Sequence, residues 1–444
     1  MKLTGIVAVL AAMALCSAAQ ARDERFAGAW NGELDVGAAQ LRLELRVTEN
    51  ADGYGAVMVS VDQGGAQIPA SQLNFDGDTI EVIMSAMGAR YTAALEDGAL
   101  VGIFHQGGAE FPLVMARGAV EAAGPELAPG EREVLVDAGV RLAGTLRLPD
   151  GEGPHPAVLM LNGSGSQDRD MTIGRHRVFA VLAEAYAQAG IASLRLDDRG
   201  MGGSDATLAS GPRELGADAG AALAFLRAAE GIDGGCVGIS GHSEGGIIAF
   251  LTPDDAQPDF ILMLAGQAGT LEDTLLEQGE VINRAMGAGD DVVEATRARQ
   301  LAMLEALRSA APGETLQAVE AAFLGQGLPA NVAAQQAQIW GQPYVQAADQ
   351  LDPAEALAGF EGPVTAIFAA NDLQVLAQAN AQRVEAARGG LPTQILALEG
   401  TNHLFQASET GLPNEYTTAP HAMAPEALER IAAEAASLVA GCSR

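Results

Sequence analysis

Apolar and polar residues alternate with a period of two through much of the N-terminal part of the chain. Residues 40–47 (Gln-Leu-Arg-Leu-Glu-Leu-Arg-Val) alternate strictly, which is typical of a β-strand with one buried face. Similar runs at 54–61, 79–84, 90–95, 100–105 and 111–117 are mostly separated by Asp-Gly or Gly-Gly turns. Short strands punctuated in this way predict a small antiparallel all-β domain over residues 22–119, either a barrel or a sandwich.

The pattern changes after residues 120–130, a stretch with two prolines that we predict to be a linker. Residues 157–161 (Ala-Val-Leu-Met-Leu) are apolar throughout, which indicates a strand buried on both faces. Further strands are predicted at 131–136, 140–148, 191–196, 236–240, 260–265, 363–369 and 393–398, and helices at 176–188, 213–230, 374–388 and 425–440. Strands that alternate with helices predict an α/β domain over 131–444, with a doubly wound, mostly parallel sheet.

One long segment interrupts this alternation. Residues from about 267 to 360 are rich in Ala, Glu, Gln and Leu, have helical periodicity and contain no strand-like run. The segment lies between two predicted strands of the sheet. We therefore predict a helical cap, inserted over the edge of the sheet where the parallel strands end.

Charge excludes some classes of partner. The chain has 57 acidic residues against 25 Lys and Arg, a formal net charge of −32. A surface of this sign repels nucleic acid and anionic membranes, so neither is predicted as a partner.

The N-terminus has the pattern of a signal peptide. Lys2 precedes an apolar run over residues 5–15, and Ala19-Gln20-Ala21 matches a small-x-small cleavage site. The run is too short to span a membrane, so no stable membrane insertion is predicted. Cys16 suggests lipid anchoring as an alternative, but Leu15 fits that processing poorly. We expect cleavage near Ala21 and a periplasmic or secreted protein.

Two cysteines follow the predicted signal peptide. Cys236 falls in the predicted strand at 236–240, where a buried free thiol is the expectation. Cys442 lies near the C-terminus, and nothing in the spacing pairs the two.

The strand at 236–240 leads into the motif Gly241-x-Ser243-x-Gly245, followed by an apolar helix start. A strand that reverses into a helix within a few residues forces a strained backbone, and side chains larger than glycine would collide there. This is the G-x-S-x-G pattern of a nucleophile elbow, which predicts an exposed Ser243 hydroxyl beside the backbone N–H of Glu244.

A serine nucleophile needs a base and an acid that orients the base. Of six histidines, His403 is favoured because it follows the strand at 393–398 and so lies at the sheet edge where the elbow opens. His421, farther along, is the alternative, and His242 is expected to point away from Ser243. Asp372 follows the strand at 363–369 and is the predicted acid, although Asp also commonly caps helices. Asp352 is the weaker alternative.

The transition state of acyl transfer needs hydrogen-bond donors for its oxyanion. The N–H of Glu244 is one predicted donor. The second is expected from the small-residue loop Asn162-Gly163-Ser164 after the strand at 157–161, with the Ser164 N–H chosen and its neighbours left open.

Substrate contacts are predicted at Asn162 and Gly163, and at Trp340 and Tyr344 of the cap. The charged clusters at 168–170 and 197–199 are interpreted as braces between loops, because Arg readily bridges carboxylates. No metal-ligand spacing and no nucleotide-binding loop occurs, so no metal and no cofactor is predicted.

The predicted α/β domain, residues 131–444, resembles the α/β-hydrolase superfamily. More narrowly, it resembles bacterial two-domain carboxylesterases with an N-terminal β domain, of the prolyl-oligopeptidase-like and dienelactone-hydrolase-like branches. The resemblance rests on residues 161–170, 197–204, 240–246, 371–375 and 402–406, and covers 131–444. It implies a triad of Ser243, Asp372 and His403, with an oxyanion contribution from the loop at 162–164. Asn162 stands where many relatives have His.

The expected function is therefore an exported serine hydrolase that cleaves small-molecule carboxylic esters through an acyl-enzyme intermediate. A peptidase, amidase or thioesterase that uses the same triad is the alternative. A non-catalytic binding protein is a third hypothesis, which an intact Ser-Asp-His set disfavours.

Overall fold

A computed structural model describes residues 24–36, 40–50, 53–62, 65–119, 127–207, 209–311 and 313–442. The predicted signal peptide and residues 120–126 of the predicted linker lie outside the described residues. The chain divides into two compact units, residues 1–125 and 126–444.

The first unit is one antiparallel sheet of nine strands. The strands are β1 Gly28–Asp35, β2 Gln40–Asn50, β3 Gly53–Ser60, β4 Ala66–Pro69, β5 Gln72–Asp76, β6 Thr79–Met84, β7 Ala89–Glu96, β8 Ala99–Gln106 and β9 Ala109–Arg117. Their order in the sheet is β4-β3-β2-β1-β9-β8-β7-β6-β5. The sheet curls around an apolar core that includes the fully buried Trp30, Leu45 and Tyr91. The fold is thus a single curled sheet, not a sandwich of two sheets.

Strand β1 did not stand out in the hydrophobic pattern, and Gly32 is the reason. Trp30 and Leu34 are buried on one face of β1, and Gly32 takes the position between them. A Cβ at Gly32 would lie 2.3 Å from the carbonyl oxygen of Val114, because the neighbouring strand β9 passes close by. The close approach requires glycine here and so removes one apolar residue from the alternation.

The second unit carries an eight-stranded sheet and a short hairpin. Its strands are β10 Glu131–Asp137, β11 Arg141–Arg147, β12 His155–Leu161, β13 Thr172–Ile173, β14 His176–Arg177, β15 Ala192–Leu196, β16 Ile232–His242, β17 Ile261–Leu264, β18 Val364–Ala369 and β19 Thr393–Leu398. Its helices are α1 Val178–Gln188, α2 Pro212–Ala228, α3 Glu244–Ile248, α4 Leu271–Ala285, α5 Asp290–Ser309, α6 Thr315–Gly325, α7 Ala330–Trp340, α8 Pro343–Asp349, α9 Pro353–Gly359, α10 Ala377–Ala387 and α11 Pro425–Cys442. The sheet order is β10-β11-β15-β12-β16-β17-β18-β19.

Six adjacent strands of this sheet run parallel to one another, in the order β15, β12, β16, β17, β18 and β19. At the edge next to β15, β11 and β10 pair antiparallel. Helices cover both faces. Leu223 of α2 and Val384 of α10 belong to the core on one face, and Phe179 of α1 and Ile431 of α11 to the core on the other. This is the fold of the α/β hydrolases, with the C-terminal ends of β12, β16, β18 and β19 at one sheet edge.

The helical insertion, α4 to α9, follows β17 and precedes β18. It has an apolar core of its own, which includes Leu304, Leu307 and Val319. Arg383 of α10 attaches the insertion to the sheet domain, because its guanidinium lies 2.5 Å from Glu277 of α4. Within the described part of the chain, no helix combines the length and the apolar character that a membrane crossing needs.

The expectation of a free thiol at Cys236 is wrong. Cys236 forms a disulfide with Cys442, although 206 positions separate them in sequence. Helix α11 packs on the sheet face that holds Cys236, and its last residue returns to the start of the elbow strand β16. Spacing could not predict this pair, because only the packing of α11 brings the two residues together.

Removing the disulfide should destabilise the sheet domain. Cys236→Ala/Cys442→Ala is expected to lower the free energy of unfolding by about 2–5 kcal/mol, since a cross-link over a long loop restricts the unfolded chain. Urea denaturation, followed on the oxidised wild type and the double variant, measures the difference. Wild type kept in excess reductant is the control and should unfold at the same urea concentration as the double variant. Coincident curves for oxidised wild type and variant would contradict the prediction.

Candidate active site

Ser243 lies at the turn between β16 and α3 with a strained backbone. Its φ is +55° and its ψ −121°, a region that residues with side chains rarely occupy. The Ser243 N–H donates to the carbonyl of Leu264 at 2.9 Å, and its own carbonyl accepts from the Gly246 N–H at 3.0 Å. The neighbouring strand and the new helix thus hold the turn in place and present the hydroxyl at the sheet edge.

The glycines of the motif are required by close contacts of the backbone. A Cβ at Gly241 would lie 2.1 Å from the carbonyl oxygen of Gly245. A Cβ at Gly245 would lie 2.4 Å from the carbonyl oxygens of both Leu161 and Asn162. Side chains at these positions would force the turn open, so the steric reason inferred from the motif holds in the structure.

The structure brings Ser243, His403 and Asp372 together in a hydrogen-bonded chain. His403 Nε2 lies 3.0 Å from Ser243 Oγ, and His403 Nδ1 lies 2.7 Å from Asp372 Oδ2. His403 and Asp372 are both buried, with exposed fractions of 4% and 3%. A carboxylate only accepts, so His403 Nδ1 carries the hydrogen and donates it to Asp372, which leaves the Nε2 lone pair facing the serine hydroxyl.

The other carboxylate oxygen of Asp372 accepts hydrogen bonds from two backbone amides. Asp372 Oδ1 accepts from the backbone N–H of Gln374 at 2.7 Å and of Val375 at 3.0 Å. Asp372 thus closes a turn through Oδ1 and contacts His403 through Oδ2, and it does not cap the next helix, α10, whose N-cap is Leu376. These two amides also fix which oxygen faces the histidine.

The loop that carries His403 is a tight turn organised by Asn402. The Asn402 side chain is fully buried, and its Oδ1 accepts from the amides of Leu404 and Gln406, both at 3.1 Å. Phe405 takes a left-handed φ of +58° to close the turn. The role of Asn402 was not predicted from the sequence. An Asn directly before the histidine of such a loop is the signal that could have found it.

The alternative base and acid lie elsewhere. His421 is exposed, and its recorded contact is its backbone carbonyl, which accepts from Gln406 Nε2 at 3.3 Å. Asp352 caps α9, where its Oδ1 accepts from the amides of Ala354 and Glu355.

The loop after β12 lies directly against the nucleophile. A Cβ at Gly163 would lie 3.1 Å from Ser243 Cβ and 3.6 Å from Ser243 Oγ, so a side chain at this position would crowd the nucleophile. Ser164 is exposed, and its carbonyl accepts from Gln167 Nε2 at 3.3 Å. On the other side of the turn, Glu244 begins α3, where a backbone N–H has no helical carbonyl to bond.

The predicted substrate contacts divide into two groups. Tyr344 of the insertion reaches the elbow, and its hydroxyl donates to Glu244 Oε1 at 3.0 Å. Trp340 packs in the insertion's own core, with its indole N–H donating to Gln336. The Asn162 amide is turned toward Asp198, to which it donates at 3.2 Å, so Asn162 braces a neighbouring loop.

The two charged clusters contain buried ion pairs that brace the loops after β12 and β15. Arg169 makes a two-pronged contact with Asp197, at 2.7 and 3.1 Å. Arg199 contacts Asp218 in the same way, at 2.7 Å through both nitrogens. Asp198 differs from these acids because no cation pairs with it among the described residues.

Asp198 lies close enough to Glu244, the residue after the nucleophile, for their charges to interact. Desolvation raises the pKa of Asp198 to about 7, against hydrogen bonds from the Gln167 backbone and Asn162, and the charges of Asp197 and Glu244 add to the rise. Burial likewise raises the pKa of Glu244. From the sequence, Asp198 was predicted only to be part of a brace between loops. Its position directly after a buried strand was the available signal.

Asp198 should make stability fall as pH rises. The folded protein keeps the proton up to about pH 7 while the unfolded chain releases it near pH 4, so ionisation between these values costs folding free energy, at most about 4 kcal/mol. Asp198→Asn lacks this ionisation. As the pH rises from 4.5 to 8, the free energy of unfolding of the variant should therefore increase relative to that of wild type by about 1–3 kcal/mol. Urea denaturation at both pH values measures it.

Asp205→Asn is the control for this measurement. The Asp205 pKa is lowered by hydrogen bonds from the backbone and side chain of Arg141, so its carboxylate stays ionised across the whole interval. Its removal should leave the change between pH 4.5 and 8 as in wild type. If the free energy of unfolding of Asp198→Asn changes with pH as that of wild type does, the raised pKa of Asp198 is contradicted.

A metal site is not evident. Within the ranges the structure describes, no three or more His, Cys, Asp or Glu side chains are grouped to hold a metal ion.

Comparisons with known proteins place this chain in a family of hydrolases. The family model of the X-Pro dipeptidyl-peptidases (S15 family) matches residues 138–404. Esterase EstD of Thermotoga maritima is 29% identical over 298 residues, and the match spans 66% of this chain and 64% of EstD, less than two thirds of that protein.

Two solved structures are similar at low identity. Proline iminopeptidase of Mycobacterium smegmatis is 15% identical with a TM-score of 0.44, and the match covers 70% of this chain and 99% of that one. Est1E of Butyrivibrio proteoclasticus is 14% identical with a TM-score of 0.39, covering 70% and 98% of the two chains.

Proposed function

We propose, from the premise that this chain belongs to the X-Pro dipeptidyl-peptidase (S15) family, that it hydrolyses carboxylic esters through Ser243, His403 and Asp372. One observation carries the proposal. A serine hydroxyl on a strained elbow lies 3.0 Å from an imidazole nitrogen whose other nitrogen lies 2.7 Å from a buried carboxylate. The name of the relative EstD, an esterase, supports ester substrates.

In the proposed reaction, Ser243 Oγ forms a bond to the ester carbonyl carbon while its proton passes to His403 Nε2. Asp372 keeps the Nδ1 proton in place and stabilises the imidazolium. The carbonyl oxygen becomes an oxyanion that accepts from the Glu244 N–H and from an amide of the loop at 162–164, each donor worth about 3–4 kcal/mol in the transition state.

The intermediate then collapses. The bond to the alcohol oxygen breaks, and the alcohol leaves with the proton that His403 returns. Water enters, gives a proton to His403 and bonds to the acyl carbon. In the second intermediate the bond between the acyl carbon and Ser243 Oγ breaks, Oγ takes the proton back from His403, and the carboxylic acid is released.

Peptide cleavage is the second candidate, because the family model that matches 138–404 is that of X-Pro dipeptidyl-peptidases. The same triad attacks an amide carbonyl, but the amine is a poorer leaving group and must take its proton from His403 before the bond breaks. Relative rates on matched esters and amides therefore separate the two candidates.

A fluorophosphonate probe and a substrate panel test the proposal on one preparation of the full chain. The probe should add to Ser243, as mapped by peptide mass spectrometry, and Ser243→Ala should remain unlabelled. p-Nitrophenyl esters should be turned over with kcat/KM at least about 100-fold above X-Pro and aminoacyl p-nitroanilides. A wild type that stays unlabelled would overturn the serine-hydrolase mechanism, and faster turnover of X-Pro anilides would replace the esterase by the peptidase.

We propose export as well. The proposal is supported by the signal-peptide pattern at residues 1–21 and by the disulfide between Cys236 and Cys442, a bond that persists in oxidising compartments. N-terminal sequencing of protein from cell fractions tests it. The mature protein should begin at Arg22 outside the cytoplasm, and an intact Met1 in the cytoplasmic fraction would overturn it.

A further inference from the structure

We propose that His242 is a positioning residue, which ties the backbone of His403 to the strand that carries Ser243. The proposal rests on the role of His403 as the base for Ser243. The sequence position of His242, directly before Ser243, suggested only that it points away from the nucleophile. In the structure it points at the loop of the base.

The contact is short, buried and specific. His242 Nε2 lies 2.8 Å from the backbone carbonyl oxygen of His403, and the two imidazole rings pack with their centres 4.7 Å apart. Only 3% of His242 is exposed to solvent. Its side chain thus spans the short distance between the end of β16 and the loop after β19.

The partner determines where the His242 proton lies. A carbonyl oxygen only accepts, so Nε2 must carry the hydrogen and Nδ1 must be unprotonated. His242 Nδ1 is buried and has no hydrogen-bond partner among the described residues. Burial and the nearby His403 ring lower the pKa of His242 to about 3. The ring is therefore neutral, and the bond persists, throughout the pH range in which a hydrolase of this kind works.

Two other anchors hold His403, and neither ties it to the nucleophile. Asp372 lies after β18 and fixes the imidazole through Nδ1, while Asn402 closes the turn within the loop itself. His242 is the neighbour of Ser243 on β16. A displacement of the His403 backbone away from β16 therefore stretches the bond between His242 and the His403 carbonyl.

The proposed reaction is sensitive to such a displacement. Proton transfer needs the 3.0 Å separation between Ser243 Oγ and His403 Nε2, and a shift of about 1 Å in a reacting group can lower a rate about 100-fold. Losing the donor also leaves the buried carbonyl of His403 without this partner, which favours movement of the loop.

Two variants of His242 separate positioning from packing. His242→Met keeps a side chain of similar bulk but has no donor, and His242→Gln keeps an amide N–H near the place of Nε2. We expect His242→Met to lower kcat for p-nitrophenyl ester hydrolysis about 10- to 100-fold with KM within about threefold of wild type. His242→Gln should recover most of that loss.

Labelling with the fluorophosphonate probe, taken to completion, counts the competent sites, so that kcat is expressed per active site in every variant. His176→Met is the control. His176 is another buried histidine of the same unit with an unpartnered Nε2, and among the described residues it forms no hydrogen bond with Ser243, His403 or Asp372. His176→Met should lower the melting temperature, because a buried imidazole is lost, while its kcat per active site stays that of wild type.

The outcomes are distinct. An unchanged kcat in His242→Met, or equal losses in the Met and Gln variants, would overturn the positioning role and leave a residue that only fills space. The proposed function fails in a different way, through turnover that survives in Ser243→Ala. A kcat loss in His242→Met that His242→Gln repairs, with Ser243→Ala inactive, supports both.

Discussion

Ser243→Ala is expected to lower kcat for p-nitrophenyl ester hydrolysis by about 10⁵- to 10⁶-fold, the largest effect of any single substitution in this chain. The hydroxyl is the atom that bonds to the acyl carbon, and water cannot replace it at the same geometry. The variant should fold, because the turn is held by the backbone bonds of Ser243 to Leu264 and Gly246, which alanine retains. Steady-state kinetics with a circular dichroism melt measure both results.

Ser240→Ala is the matched control for the nucleophile. Ser240 lies on the same strand and is buried, and its hydroxyl is hydrogen-bonded to the Tyr186 hydroxyl at 2.7 Å. Its removal should cost about 1–3 kcal/mol of stability, because the buried tyrosine hydroxyl loses its partner, and kcat should stay within a few-fold of wild type. Turnover by Ser243→Ala near the wild-type rate would refute the covalent mechanism.

Asp372→Asn is expected to lower kcat by about 10⁴-fold while the protein remains folded. The two amides of Gln374 and Val375 that now bond Oδ1 should keep the oxygen of the new amide on their side. The NH₂ group then faces His403 Nδ1, and a donor there demands an unprotonated Nδ1. The proton moves to Nε2, where it blocks acceptance of the Ser243 proton.

Asp352→Asn is the control for this variant. Like Asp372, Asp352 accepts from two backbone amides through Oδ1, in its case at the start of α9, but no histidine contacts its carboxylate in the described structure. The amide oxygen of Asp352→Asn can keep both backbone bonds, as that of Asp372→Asn can, so this variant should remain folded and keep wild-type kcat. If Asp372→Asn loses less than about tenfold in kcat, the orienting role of Asp372 is refuted.

The two substitutions differ in what remains. Ser243→Ala leaves the oriented imidazole without a nucleophile, and Asp372→Asn leaves the nucleophile without a correctly protonated base. A fluorophosphonate probe should therefore never label the first and should label the second slowly. This difference in labelling, measured at equal folded concentration, tests the assigned roles independently of turnover.

Much of the fold could be predicted from periodicity. Strand β19 was predicted with the bounds it has, 393–398, and β12, β15 and β18 were predicted to within a few residues. Each is an apolar run bounded by turn residues, which is a local property of the sequence. Strand β1 was missed because Gly32 breaks its pattern, and the reason for Gly32 is the distant strand β9.

The candidate site divides in the same way. Ser243, Asp372 and His403 each follow a predicted strand, and the C-terminal ends of parallel strands meet at one edge, so their proximity could be expected from strand order alone. The closeness of Gly163 to Ser243 also follows from the loop after β12. The raised pKa of Asp198 could not be expected, since it depends on how much water the folded loops exclude.

By itself, then, the sequence determined which residues form strands and helices and which chemical groups stand at strand ends, because these follow from neighbours within a few positions. Only the tertiary structure decided which distant groups meet. It paired Cys236 with Cys442, joined Tyr344 to Glu244, and turned His242 toward the carbonyl of His403. Those contacts depend on the path of whole helices and loops over the sheet, and no local pattern encodes that path. The elbow of Ser243 belongs to both levels, since its glycines are visible in the sequence and the collisions that require them occur only in the fold.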